Sequence, residues 1–194
     1  MVKHSKITKV FQLSLVIIFI LVLLGLFVPQ QFQNISFYLK NLLTTSVGWF
    51  YLLLVTGILI FCVFLIVSPI GQIRLGNPTS RPEHSTTSWI AMMFSAGMGI
   101  GLVFYGAAEP LSHFAISTPN AEIGSADALA DAFRFTFFHW GFHAWAVYAL
   151  VGLSLAYFGF RKREKYQLSV VFKPLFGKYA DGPIATIIDT ITII

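Results

Sequence analysis

From Ser88 to Ala108 the chain runs for 21 residues without a charged side chain, and near the middle stand three glycines at alternate positions, Gly97, Gly99 and Gly101. About 20 apolar residues suffice for a helix to cross a bilayer. Each glycine weakens such a helix by about 1 kcal/mol relative to alanine. Bare backbone at mid-membrane depth is tolerated only where protein or a cavity covers it. Close helix packing would explain Gly97 and Gly101, which form a small-xxx-small pair. It does not explain Gly99, which falls about 200° round the helix from Gly97. The pattern therefore favours a locally unwound binding segment, whose backbone N–H groups can hold a carboxylate and whose carbonyls can hold a cation.

The rest of the chain supports a membrane setting. Of 194 residues, 56% are hydrophobic and only 11% charged, against about 25% charged in a soluble domain. One cysteine, Cys62, excludes an intrachain disulfide. A first span is expected over Val10 to Val28, with no small-residue cleavage site after it to suggest a removable signal. A short external loop with an interfacial helix is expected over Gln31 to Ser46, and a second span over Val47 to Val67. The prolines and glycines between Ser68 and Thr87 read as a loop, and Ser85 to Ser88 offer N-caps for the glycine-rich helix. That helix is expected to end near Glu109-Pro110, where an acidic loop begins. A fourth span is expected from Phe133 to Phe158, and a fifth apolar segment begins at Ile184. With 11 residues it is too short to span, so the chain reads as the front part of a longer protein. Residues 1–87 would hold a cytoplasmic N-terminus and two peripheral helices, and residues 88–194 the first part of a functional core.

Lysine and arginine placement sets the expected orientation. Lys3, Lys6, Lys9, Arg74, Arg81, Arg161, Lys162, Arg163, Lys165, Lys173 and Lys178 fall on one side. Lys40 falls on the other, with Arg134 at a membrane edge. The N-terminus is therefore expected in the cytoplasm. The net charge of +5 is a topology signal, and no nucleic-acid-binding motif accompanies it.

A second informative stretch runs from Phe138 to Tyr148. On one continuous helix, Trp145 lies about 140° and Tyr148 about 80° round from Trp140, so the three rings share one broad face. Core packing or an interfacial belt could account for them, although Trp145 and Tyr148 lie deep in the expected span. Such a cluster can also cage a quaternary ammonium through cation–π attraction, at about 0.5 to 2 kcal/mol per ring. A zwitterion with a carboxylate at one end and a trimethylammonium at the other would use both stretches.

At these residues the chain resembles the betaine/carnitine/choline transporters. The resemblance is carried by Gly97-Met98-Gly99-Ile100-Gly101, by Phe104-Tyr105-Gly106 with Glu109-Pro110, and by the spacing of Trp140, Trp145 and Tyr148. It is nearest to sodium-coupled glycine betaine carriers of bacteria. It implies an all-α integral membrane protein with part of a LeuT-like inverted-repeat fold, as four complete transmembrane helices and the start of a fifth. It further implies that Trp140, Trp145 and Tyr148 surround the ammonium and that Gly99 and Gly101 let substrate approach. Backbone at Ser95 and Met98 would contribute to a sodium site. Sodium would be the coupling ion, no cofactor is implied, and the full-length protein would be a homotrimer in the bacterial cell membrane. Proton-coupled choline carriers of this family often place an acid at the position of Gly101, which weighs for betaine and sodium. A fourth cage tryptophan and the second repeat belong to later helices, so this stretch alone should not transport.

The alternatives are a choline or carnitine carrier of the same family, or a non-transporting membrane fragment with an interaction role. An enzyme is disfavoured, because the spans contain no nucleophile–base set. His139 and His143 have metal-compatible spacing on a helix, but no third ligand is near in sequence, so they read as structural. Asp189 could be functional or structural. The glycine run lacks the third glycine of a dinucleotide fingerprint.

Overall fold

The computed structural model describes residues 8–77, 79–97, 99–116 and 121–194. Among them every regular element is a helix. Helix α1 (Lys9–Phe27) opens on Thr8, whose hydroxyl accepts the Phe11 N–H at 3.2 Å. Val28 breaks it, and α2 (Pro29–Val67) starts at once with proline first, the position where a missing N–H costs nothing. Instead of the expected loop with a separate interfacial helix over Gln31 to Ser46, α2 is one continuous helix of 39 residues. After Pro29 no glycine or proline interrupts it before Gly48, and the Ser36 and Thr44 hydroxyls fold back onto the Phe32 and Lys40 carbonyls. At 1.5 Å per residue it is about 58 Å long, nearly twice the hydrocarbon thickness that Val47 to Val67 alone would fill.

The glycine-rich segment is two helices, α3 (Thr86–Gly97) and α4 (Ile100–Ala115). Ser85 accepts the Ser88 N–H at 3.2 Å ahead of α3, as the sequence suggested. Gly99 is extended, at φ −62° and ψ −159°, and caps α4. The unwinding read from the alternating glycines is thus present, while Met98, the other backbone position expected at a sodium site, lies outside the described residues. Helix α4 does not stop at Glu109-Pro110; it carries Pro110 in its interior and ends at Ala115. A proline removes one ladder hydrogen bond, which membrane helices accommodate by local adjustment.

Helix α5 (Ala126–Trp140) begins seven residues before the expected Phe133. Ser125 caps it, accepting the Ala128 N–H at 3.1 Å. Asp127 sits in the first turn, where a carboxylate suits the positive end of the helix dipole. The expected single span then breaks at Gly141, which is extended (φ −92°, ψ −157°), and α6 (Phe142–Ala156) follows. It ends in a π-helical turn, Tyr157–Arg161. Short helices α7 (Leu168–Val171) and α8 (Lys173–Phe176) lead through a 3-10 turn to α9 (Pro183–Ile193).

Contacts gather these elements into two compact units. One comprises the chain up to Leu53 together with Val151–Ile194. In it α1 packs on α9, and α7 packs on α9 through Asp189. The Asp189 carboxylate accepts the Ser169 N–H at 3.0 Å and the Ser169 hydroxyl at 2.9 Å. It is buried and satisfied, which gives it a structural role. Lys173 pairs with Asp181 at 3.0 Å and Glu164 at 3.7 Å, and the Asp181 hydrogen bond raises the lysine pKa above its ordinary value.

The other unit is Leu54–Leu150 and holds every described residue of the expected site. Its strongest packing is α4 on α5. Fully buried Ala128 and Ala132 present small side chains on α5, which let two backbones approach closely without any aqueous hydrophobic drive. The late turns of α2 meet α6: Cys62 lies 3.6 Å from the Ala146 carbonyl and Thr56 3.5 Å from His143 Nε2. Most large apolar side chains are exposed, Phe27, Ile66 and Val67 by more than three quarters. Three helical stretches, Lys9–Phe27, Pro29–Val67 and Ala126–Arg161, are long and apolar enough to cross a membrane. Exposed apolar surface is what such helices present to lipid.

Candidate binding site at two helix breaks

Both breaks in this unit expose bare backbone, and an indole covers bare backbone on each side of the first. The six-membered ring of Trp145 lies against Gly97, the last residue of α3. A Cβ at Gly97 would be 2.5 Å from Trp145 Cη2, closer than any side chain tolerates. Trp140 reaches Gly101 in the first turn of α4, with its Cη2 3.7 Å from where a Cβ would stand. Gly99 meets no ring; the nearest atom to a Cβ there would be the Ser95 carbonyl oxygen at 3.4 Å. Of the sequence-predicted residues, Trp140 meets Gly101, while Trp145 seats on Gly97 rather than on Gly99, which supplies the extended backbone between the two.

Two tyrosines extend the aromatic surface. Tyr105, one turn along α4 from Gly101, stacks on Trp140 with ring centroids 5.9 Å apart and planes 28° apart. Tyr148 lies 5.8 Å from Trp145 at 44°. It is largely exposed, as is about 40% of Trp145. The shared face that the sequence offers to Trp140, Trp145 and Tyr148 assumed one continuous helix. The break at Gly141 removes that basis, since the 100° step does not carry across extended backbone. The rings are brought near the glycines by the break itself. The Trp145 indole donates its N–H to the Trp140 carbonyl at 3.1 Å, an oxygen at the very end of α5. Gly141 is required there: a Cβ would fall 2.3 Å from the Phe137 carbonyl oxygen.

Glu109 is the residue that sequence reasoning missed. It reads as a helix stop beside Pro110, yet its carboxylate, only 15% exposed, organises the α4–α5 contact. Trp140 donates its indole N–H to Glu109 Oε2 at 2.6 Å, a charge-assisted bond of about 1.5–3 kcal/mol. His139 Nδ1 donates to Glu109 Oε1, and His113 Nε2 approaches the same oxygen at 3.5 Å. Helical spacing of four places His113 beside Glu109, the only signal of this cluster legible in the sequence. The pairing of His139 with His143 does not occur as a ligand pair. His143 lies beyond the Gly141 break, turned towards Thr56 and against the Phe138 ring at 4.6 Å.

Among the described residues, helices long and apolar enough to cross a membrane, one broken at bare glycines with aromatic rings laid on that backbone, make up an all-helical membrane protein. The chain matches the betaine/carnitine/choline family transporter over residues 9–194 and belongs to that family. Among its relatives are the glycine betaine transporter OpuD of Bacillus subtilis (strain 168), 51% identical over the whole of this chain and 37% of that protein, and a probable glycine betaine transporter of Desulfitobacterium hafniense (strain Y51). The latter is 43% identical over 97% of this chain and 38% of its own length. An ectoine/hydroxyectoine transporter of Virgibacillus pantothenticus is 41% identical over 95% of this chain and 37% of its own length. The chain thus spans somewhat over a third of these relatives. Its family consists of transporters, not enzymes.

Proposed function

We propose that the full-length protein takes up glycine betaine across the bacterial cell membrane, coupled to sodium. The observation that carries this reading is the seating of Trp145 on Gly97 and Trp140 on Gly101. Aromatic faces, bare helix-end backbone and an extended Gly99 stand within one short stretch of the molecule. Ring quadrupoles attract a trimethylammonium, and N–H groups at the start of α4 suit a carboxylate. Trp140, Trp145 and Tyr148 take the ammonium, with Tyr105 widening the surface. Gly99 and Gly101 admit the carboxylate, while backbone at Ser95 and Met98 contributes to the sodium site.

The glycine-broken helix pair acts as one span opening the first of two inverted repeats, α1 and α2 are peripheral, and the carrier is a homotrimer. A zwitterionic cyclic solute is the second reading, favoured by the ectoine transporter among the relatives; choline and carnitine remain alternatives within the class. The test is uptake of radiolabelled glycine betaine into proteoliposomes of the full-length protein. Uptake should follow an inward sodium gradient and collapse when potassium replaces sodium outside. Undiminished uptake in potassium would overturn sodium coupling, and uptake of choline in preference to betaine would overturn the substrate.

A further inference from the structure

The α4–α5 contact carries a second constellation, joined to the aromatic rings through the Trp140 indole. Glu109 and His113, four residues apart on α4, and His139 near the end of α5 converge so that one donor atom of each lies within 4.8 Å of the others. We propose that Glu109, His113 and His139 form a binding site for a divalent transition metal, with zinc the best fit. Two imidazoles and one carboxylate are an established zinc donor set, and they leave a fourth position for water. Such a set takes zinc over magnesium or calcium, which favour all-oxygen ligands.

The geometry needs little change. Zinc sits about 2.0–2.2 Å from nitrogen and oxygen ligands, so tetrahedral donors stand roughly 3.4 Å apart. His113 Nε2 and Glu109 Oε1 are already at 3.5 Å. His139 bonds the same oxygen directly and has to draw back; its side chain is half exposed and free to do so. The metal then takes the place of the hydrogen bond that now joins His139 to Glu109. The outer shell is in place as well. Trp140 holds Oε2 of the same carboxylate, the kind of hydrogen bond that orients a metal-ligating carboxylate, and Phe135 packs 5.7 Å from the His113 ring.

Two of the ligands belong to α4 and one to α5, so the metal ties the helix that starts at the glycine break to the helix that carries Trp140. Resting on the transport reading above, zinc at this position restrains the α4–α5 pair and slows uptake. Metal binding itself does not depend on that reading.

The experiment measures metal binding by itself, apart from transport. Zinc chloride is titrated calorimetrically into the purified full-length protein in detergent, and the melting temperature is followed with and without metal. Wild type should bind about one zinc per chain at the cluster with a gain in melting temperature, as any ligand selective for the folded state produces. His113→Gln and His139→Gln should each weaken binding by at least ~10-fold and lose the thermal gain, while His143→Gln keeps both. If zinc produces neither heat nor a thermal shift, or if both variants bind as tightly as wild type, the cluster is a hydrogen-bond network and the proposal fails. Metal-free melting of each variant near the wild-type temperature shows that it has folded. Should zinc bind as described in a protein that moves no betaine, the metal site stands and the transport reading falls.

Discussion

At the residue scale, two contacts between indoles and glycines define the candidate site. Trp145 lies so close to Gly97 that even one methyl group must displace it. Gly97→Ala should therefore weaken apparent betaine affinity by about 10-fold, although alanine is the better helix former. Combining it with Trp145→Phe should cost less than the two single losses added, because neighbours that share a clash are not additive. Equilibrium binding of betaine to the four proteins of this cycle checks it, and strict additivity would separate Gly97 from the ring. Glycine at 97, 99 and 101 was legible from the sequence because its alternation fits no ordinary packing stripe. Glu109 was not: beside a proline, an acid reads as a helix end, and only the fold shows that the Trp140 indole has chosen it as a partner.

At the element scale, the two helix breaks differ in how visibly they are written. Three glycines in five residues announce the first. The second depends on Gly141 alone, and a single glycine in an apolar run is compatible with an unbroken helix. Its effect is large nonetheless, since it separates Trp140 from Trp145 by extended backbone and turns His143 away from His139. The start of α5 was hidden for another reason: Asp127 and Asp131 look like loop residues until Ser125 is seen as a cap. Asp131 is buried and pairs with Arg134 at 2.9 Å. Gly141→Ala drives a Cβ into the Phe137 carbonyl, a strain of about 1–3 kcal/mol. It should lower the melting temperature and betaine uptake together. Gly106→Ala, in α4 with open space around it, should leave melting unchanged or raise it slightly. Equal effects of the two substitutions would show that the break at Gly141 is not specified by its side-chain-free position.

At the scale of the whole molecule, charge and apolar length were readable at once. Long runs without charge set the expected spans, of which the one over 88–108 is two shorter helices, and the residues flanking them set an expected orientation. The orientation predicts that in a Cys62→Ser background, a cysteine at Ile123 reacts with an impermeant thiol reagent added to intact cells, while one at Lys165 does not; both positions are exposed. The reverse pattern would invert the topology. What composition could not supply is the route by which separate helices deliver two tryptophans to one stretch of bare backbone, each with a tyrosine ring against it. That convergence is the central claim, and its chemistry is most directly tested by competition between betaine and tert-butylacetate for the full-length protein. The two share shape and carboxylate, but a neutral carbon replaces the ammonium nitrogen. Losing one desolvated cation–π contact of about 2 kcal/mol corresponds to roughly 30-fold in affinity. Tert-butylacetate should therefore displace radiolabelled betaine at least ~30-fold less effectively than betaine itself; equal displacement would mean that these rings pack against the ligand without recognising its charge.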